Sequence, residues 1–594
     1  MTTDQPAVTH LTQGGESGLS HGTPKCLDPT SSDKQGGPPI SASNAGMRSA
    51  HRAGRRPIGP DCALAGLLLS VALIQIIAFP GRFERDPPML GPQENVRFEL
   101  AQQWVHEGRP SFDLTVPPGA SPDVIPALTP RDAALQRLTV VPKDFPYAIG
   151  LAALFVLVDP RLALAISALS ALALLAAVAA LARRLGGRWS GVGAAAVLTT
   201  TGAFWAGTGG LLNTGAAIAV TLVVGMLLLC PPAHRAAAGG RASASASQRR
   251  DVLAGIAFGI GVGLHHDIIL LAAGLVVPFV LPPLGGAARA RRIAAGTLIA
   301  ALPGFVYYAW LHGSPFTTGY AVGAGALAVP GENFFEVLTV DPGMLLEHVR
   351  RYVLRPEVVL LVAAALLACF YASRPTARSL GKGLLLGGLP YLAFAGSRPL
   401  YGVDHLTFGA SFPRYAAPVV ALLACIATAG PWAGPPVSRR TRATALWISA
   451  LIGVALLAYT AGGPLDQRRQ VLQSTRLRAQ VLDTVEPEAL VVTARGDKLL
   501  WPHRSTITAA YLVRDPAEGI RYGPAMYDVL PTPRRLALVV AHLVDAGEQV
   551  YVMSDSFPPY LAGLDLELRL AGVRREPTAV GSLFRITADS PRHN

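Results

Sequence analysis

At 594 residues, 51% hydrophobic and only 15% charged, the chain is too apolar for an ordinary soluble protein, in which charge runs at about 25%. The net charge of +13 does not point to nucleic acid, because most Arg residues sit in short links between apolar runs. Five Cys, none beyond Cys425 and none in a CxxC pair, suggest neither a disulfide framework nor a zinc site.

Residues 1–56 are rich in Ser, Gly, Pro and Thr without apolar periodicity, which predicts a disordered tail. The Arg cluster from Arg48 to Arg56 precedes an apolar run at 62–80, the pattern of an uncleaved signal anchor. Further runs follow at 145–158, 161–182, 190–209, 211–229, 252–284 (long enough for two passes), 293–311, 355–372, 383–396, 415–430 and 444–461. A helix crossing the hydrocarbon core needs about 20 such residues.

Loop charge orients these runs. With the N-terminus inside and 145–158 lying at the outer interface, the basic links at 183–188, 234–250, 289–292, 373–382 and 439–442 all fall in the cytoplasm. The expectation is eleven crossings, with the loops at 80–144, 312–354 and 397–414 and the stretch near His265 outside. Residues 57–464 make up the membrane domain on this reading. Residues 465–594 are more charged, and their apolar runs shorten to strand length. Glu488–Ala494 and Glu548–Ser554 read as strands, and Arg534–Ala546 as a helix between them, which predicts a small outer α/β domain.

The first outer loop is long enough to expect function. Its stretch Gly91–Gly108 reads as a helix with an apolar stripe through Phe98, Ala101 and Val105, capped by Gly108. Such a helix would lie on the membrane surface and hold carboxylates just above the bilayer.

One apolar anchor, then early acidic residues, then an amphipathic segment ending in Gly resembles the GT-C superfamily of membrane glycosyltransferases. That superfamily includes the protein O-mannosyltransferases and the lipid A aminoarabinose transferases. Val141–Gly150, Arg183–Gly187, Gly313–Tyr320 and Phe408–Pro418 each resemble a segment of bacterial members, in the same order and over roughly residues 60–590.

The resemblance implies an α-helical polytopic membrane protein with a C-terminal α/β domain, multi-pass in a bacterial plasma membrane. It implies transfer of a sugar from a polyprenyl-phosphate-linked donor to a glycan, lipid or protein acceptor on the outer face. Asp86 and Glu94 match the family's early carboxylates and are the two positions for the base; either equally suits a helix N-terminal cap. Arg414 is the expected phosphate contact, although an arginine at a helix end also suits lipid headgroups. Tyr415, Arg97, Lys143, Asp144, His265, His266 and Tyr320 are the further expected substrate contacts. Adjacent His side chains on a helix diverge, so His265 and His266 chelate poorly together. No cofactor is assigned, and a divalent cation is the one class left open. Two other readings stand beside this one: a transporter or flippase of lipid-linked sugars, and a non-catalytic envelope assembly protein.

Overall fold

The computed structural model describes residues 59–80, 82, 92–130, 133–143, 146–230, 241–282, 284–317, 319, 342–371, 375–397, 411–429, 462–494, 497–513, 519–522, 528–554 and 558–589. The predicted tail, the predicted crossing at 444–461 and most of the 397–414 loop lie outside them. From Ile58 onward the chain forms one compact unit.

Helix α1 (Pro60–Ala78) opens on Pro60, whose missing N–H costs nothing at a first position. Helix α2 (Pro92–Glu107) stops at Gly108, whose φ of +76° favours glycine. The rest of the first loop, which shows no clear pattern in the sequence, has structure of its own. Strands β1 (Phe112–Asp113), β2 (Ala133–Gln136) and β3 (Thr139–Pro142) form an antiparallel sheet in the order β1-β3-β2. A 3₁₀ turn at Ile125–Leu128 lies between β1 and β2.

The helical part continues through α3 (Pro146–Val156), α4 (Pro160–Ala163), α5 (Ile166–Gly186), α6 (Arg188–Thr199), α7 (Gly202–Thr208) and α8 (Gly215–Leu229). Next come α9 (Arg241–Leu264), α10 (Ile268–Val280) and α11 (Ala287–His312). Helix α12 (Pro342–His348) runs into a π turn at Val349–Val353. Helices α13 (Pro356–Tyr371), α14 (Pro375–Ser397) and α15 (Ser411–Ala429) complete this part.

Among the described residues, α1, α5 and α11 are long and apolar enough to cross a membrane alone. A fourth candidate is bent by 88° between Leu345–Val353 and Pro356–Phe370. The protein is a multi-pass membrane chain of mostly helical fold. Helix α3 has 11 residues, about 16 Å at 1.5 Å per residue. The 252–284 run divides into α9 and α10. The 190–209 run, expected to be one helix, is broken: the Thr201 hydroxyl accepts from the Phe204 N–H and starts α7 afresh.

Close helix approach depends on glycine. A Cβ on Gly255 of α9 would sit 2.1 Å from the Ile293 carbonyl oxygen of α11, and one on Gly274 of α10 would sit 2.2 Å from the Gly387 backbone of α14. Within α9, the Asp251 carboxylate is 1% exposed and takes both Arg289 (3.0 Å) and Arg292 (2.8 Å) of α11.

Helix α16 (Gly462–Thr484) leads into a mixed sheet in the order β5-β4-β8-β10-β9. Strands β4 (Leu490–Thr493), β5 (Ser505–Thr508) and β8 (Val550–Met553) are parallel, while β9 (Val573–Pro577) and β10 (Leu583–Ala588) join antiparallel. Strands β6 (Gly519–Tyr522) and β7 (Asp528–Pro531) make a separate hairpin. Helix α17 (Asp497–Leu500) is short, and α18 (Pro533–Asp545) and α19 (Pro558–Leu570) cover the sheet. The two predicted strands and the helix between them are β4, β8 and α18.

Candidate active site

Helix α2 packs into the protein and does not stand free. Its first turn is buried: Glu94 is 5% and Arg97 4% exposed. Glu94 Oε1 accepts from the Leu211 N–H at 2.7 Å and the Leu212 N–H at 3.3 Å, and Arg97 Nη1 donates to the Leu212 carbonyl. The carboxylate therefore caps the backbone of the 209–214 connection between α7 and α8. Phe98 and Ala101, the predicted stripe, pack with Leu211 and Leu212 in one apolar cluster.

Beneath this lies a polar network that the sequence reading did not single out. Arg82, 2% exposed, donates to the Leu164 carbonyl (3.0 Å), the Gly210 carbonyl (3.5 Å) and Gln75 Oε1 (3.3 Å). Gln75 in turn donates to the Thr208 hydroxyl at 3.1 Å. Burial pushes the Arg82 pKa down to about 10, and the nearby Glu94 charge works against that shift. The available signal was a lone Gln inside the first apolar run.

The other flank of the same connection meets α15. Asn213 Oδ1 accepts from the Gly215 N–H at 2.9 Å, and a Cβ on Gly215 would lie 2.7 Å from Arg414 Cγ. Arg414 is half-buried, its guanidinium 5.1 Å from the Tyr415 ring centroid, with Nη2 donating to the Tyr415 hydroxyl at 3.3 Å. The Tyr415 ring meets His265 edge-on at 4.9 Å, and its backbone carbonyl accepts from the Tyr391 hydroxyl at 3.0 Å. Asp267 stands 3.0 Å from His266 Nε2 and 3.4 Å from His265 Nδ1, all three buried. Thus Arg414, Tyr415, His265 and His266 come together, and the 209–215 segment links them to Glu94 and Arg97. Among the described residues no group of three or more His, Cys, Asp or Glu side chains is arranged to hold a metal ion.

Lys143 turns toward the C-terminal sheet domain: its ammonium is 5.6 Å from the Tyr511 ring centroid. A Cβ on Gly319 would lie 2.4 Å from the Pro142 carbonyl oxygen, so two sequence-marked segments, Val141–Gly150 and Gly313–Tyr320, meet there. Asp86, Asp144 and Tyr320 lie outside the described residues.

The first loop and the C-terminal domain interlock. Asn95, beside Glu94, donates to the Lys498 (3.2 Å) and Trp501 carbonyls. Phe112 stacks on Trp501 at 5.4 Å, Asp123 pairs with Arg535 at 3.0 Å, and the Gly119 N–H donates to Glu548 at 3.3 Å. Val124, Ala127 and Leu128 of the loop belong to the same apolar core as Leu490, Ile507 and Leu543.

No protein-family model and no curated protein matches the chain. Solved structures do. The oligosaccharyltransferase of Archaeoglobus fulgidus in its apo form matches at 14% identity over 89% of this chain and 75% of that one, with a TM-score of 0.49. ArnT from Cupriavidus metallidurans in the apo state matches at 14% identity over 89% of this chain and 98% of that one, also at 0.49. The same protein bound to undecaprenyl phosphate matches at 12% identity over 89% and 98%, at 0.48.

Proposed function

We propose that this protein is an inverting membrane glycosyltransferase that moves a sugar from a polyprenyl-phosphate-linked donor to an envelope acceptor on the outer face of a bacterial plasma membrane. One observation supports this reading above the others. The 209–215 connection is flanked on one side by the first-loop pair Glu94 and Arg97, and on the other by Arg414 and Tyr415. A carboxylate and an arginine on opposite flanks of one connection, beside apolar helices, are the parts this transfer requires.

In the proposed step the acceptor hydroxyl oxygen attacks the anomeric carbon, and the bond from that carbon to the phosphate oxygen breaks. The hydroxyl proton passes to a first-loop carboxylate, Asp86 or Glu94. The polyprenyl phosphate leaves with the bonding electron pair, held by Arg414 through charge-assisted hydrogen bonds. Stacking on Tyr415 limits the rotamers that Arg414 must lose on binding. Arg97, His265 and His266, with Lys143, Asp144 and Tyr320, line the path of sugar and phosphate. The C-terminal domain, docked on the first loop, recognises the acceptor.

The test is analysis of envelope glycans and lipid-linked sugars in a deletion strain complemented with wild type, Asp86→Asn or Glu94→Gln. We expect one sugar to disappear from the envelope and its lipid-linked form to accumulate. Wild type restores transfer, and the variant that inserts normally yet fails to restore it identifies the base. Full restoration by both variants would remove the base assignment. Labelled-sugar uptake without covalent product would favour a transporter.

A further inference from the structure

Glu357 stands in the first turn of α13, just after the 88° bend. It is 2% exposed, yet neither Oε1 nor Oε2 has a hydrogen-bond partner among the described residues. Two other deeply buried carboxylates are satisfied: Asp251 by two arginines and Glu94 by two backbone N–H groups. Nearby arginines are engaged elsewhere, Arg351 with Glu347, and Arg355 with the Arg351 carbonyl and the Tyr352 ring. A buried carboxylate left without donors is costly and needs an explanation. An ionised one is acceptor-only, with room for several donors.

Helix packing places Glu357 at a definite end of the bundle. A Cβ on Gly381, near the start of α14, would lie 2.5 Å from Cys369 Sγ, near the end of α13, so those two helices are antiparallel neighbours. The Tyr391 hydroxyl, late in α14, bonds to the Tyr415 carbonyl, early in α15. The start of α13 therefore lies at the same end as Arg414 and Tyr415, and α13 packs along α15.

We propose that Glu357 receives hydroxyl donors from the sugar of the lipid-linked donor, at the same end of the bundle as the arginine that takes its phosphate. This assignment rests on the lipid-donor reading above and adds a sugar-recognition residue to it. Binding a hydroxyl-rich ring would supply the donors that the Glu357 carboxylate lacks among the described residues. The site trades stability for recognition, so its removal should not weaken the fold.

The full-length protein in lipid nanodiscs would be titrated with undecaprenyl phosphate, and with the same lipid carrying glucose, mannose or arabinose. In wild type we expect at least one sugar-bearing lipid to bind tenfold or more tighter than the bare lipid. Glu357→Gln and Glu357→Leu should bind the bare lipid as wild type does and lose that increment; Gln preserves the shape if Leu fails to fold. An increment that survives in the folded variants, or no increment for any of the three sugars in wild type, overturns the assignment. Failure of wild type to bind bare undecaprenyl phosphate would overturn the lipid-donor reading itself, and this assignment with it.

Discussion

Glu94 accepts a hydrogen bond from the Leu211 N–H at 2.7 Å, and that contact joins the first loop to the turn between α7 and α8. It gives one residue two separable jobs, holding backbone and offering a carboxylate. Glu94→Ala leaves the Leu211 and Leu212 N–H groups without this acceptor, which costs about 1–3 kcal/mol. Glu94→Gln keeps an oxygen in place for both. Thermal melts should show a clear loss for Ala and a small one for Gln. If Glu94 is the base, transfer is lost in both; if Asp86 is, Gln retains it.

Arg414 offers a planar fork, and lysine cannot reproduce two parallel bonds to a phosphate. Loss of one charge-assisted contact is worth about 1.5–3 kcal/mol, or roughly ten- to hundredfold in affinity. Arg414→Ala should weaken undecaprenyl phosphate binding by that factor in a nanodisc titration, and Arg414→Lys should recover only part of it. Unaltered binding in Arg414→Ala would assign the guanidinium to lipid headgroups.

Leu128 is a first-loop residue buried in the C-terminal domain's core, 4% exposed. Truncation to Ala should cost about 2–5 kcal/mol. The loss should be read in the sheet domain, as faster amide exchange across 505–512, the segment that the 125–128 turn covers. Exchange confined to the loop itself would mean that the domain's core closes without it.

Acid and alkali should each loosen the C-terminal domain through one pair. The Glu486 carboxyl is held below the usual carboxylate range, first by a hydrogen bond from its own backbone N–H and then by the Tyr551 hydroxyl. Its folded pKa is depressed, so its contribution is present above the unfolded value and lost as pH falls through the folded one. Burial, then the bond to Glu486, raises the Tyr551 pKa above 10.0. That contribution is complete below the unfolded pKa and is lost as pH rises through the folded one. In melts across pH, Glu486→Gln should flatten the acid side, and Tyr551→Phe the alkaline side.

Patterns carried by neighbouring residues were legible in the sequence. Apolar runs marked the helices, period and caps marked α2 and α18, and short β-rich runs marked β4 and β8, because each depends on local backbone geometry. Two local readings failed in part. The 190–209 run hides the break at Thr201, since a threonine that caps a new helix is as compatible with an apolar run as one that continues it. The 80–144 loop hides its sheet, since strands of two to four residues leave almost no periodicity.

The sequence by itself determined that this is a membrane chain ending in a mixed α/β domain, and it marked Glu94, Arg97, Arg414, Tyr415 and the His pair as worth following. Tertiary structure alone decided what those residues touch. It turned Glu94 inward to the Leu211 and Leu212 amides and joined it through the 209–215 segment to Arg414. It seated Leu128 in the core of a domain that begins hundreds of residues later, and left Glu357 buried without a partner among the described residues. The physical reason is that hydropathy reports whether a residue leaves water. Which donor a buried carboxylate then meets depends on helices brought together from distant parts of the chain.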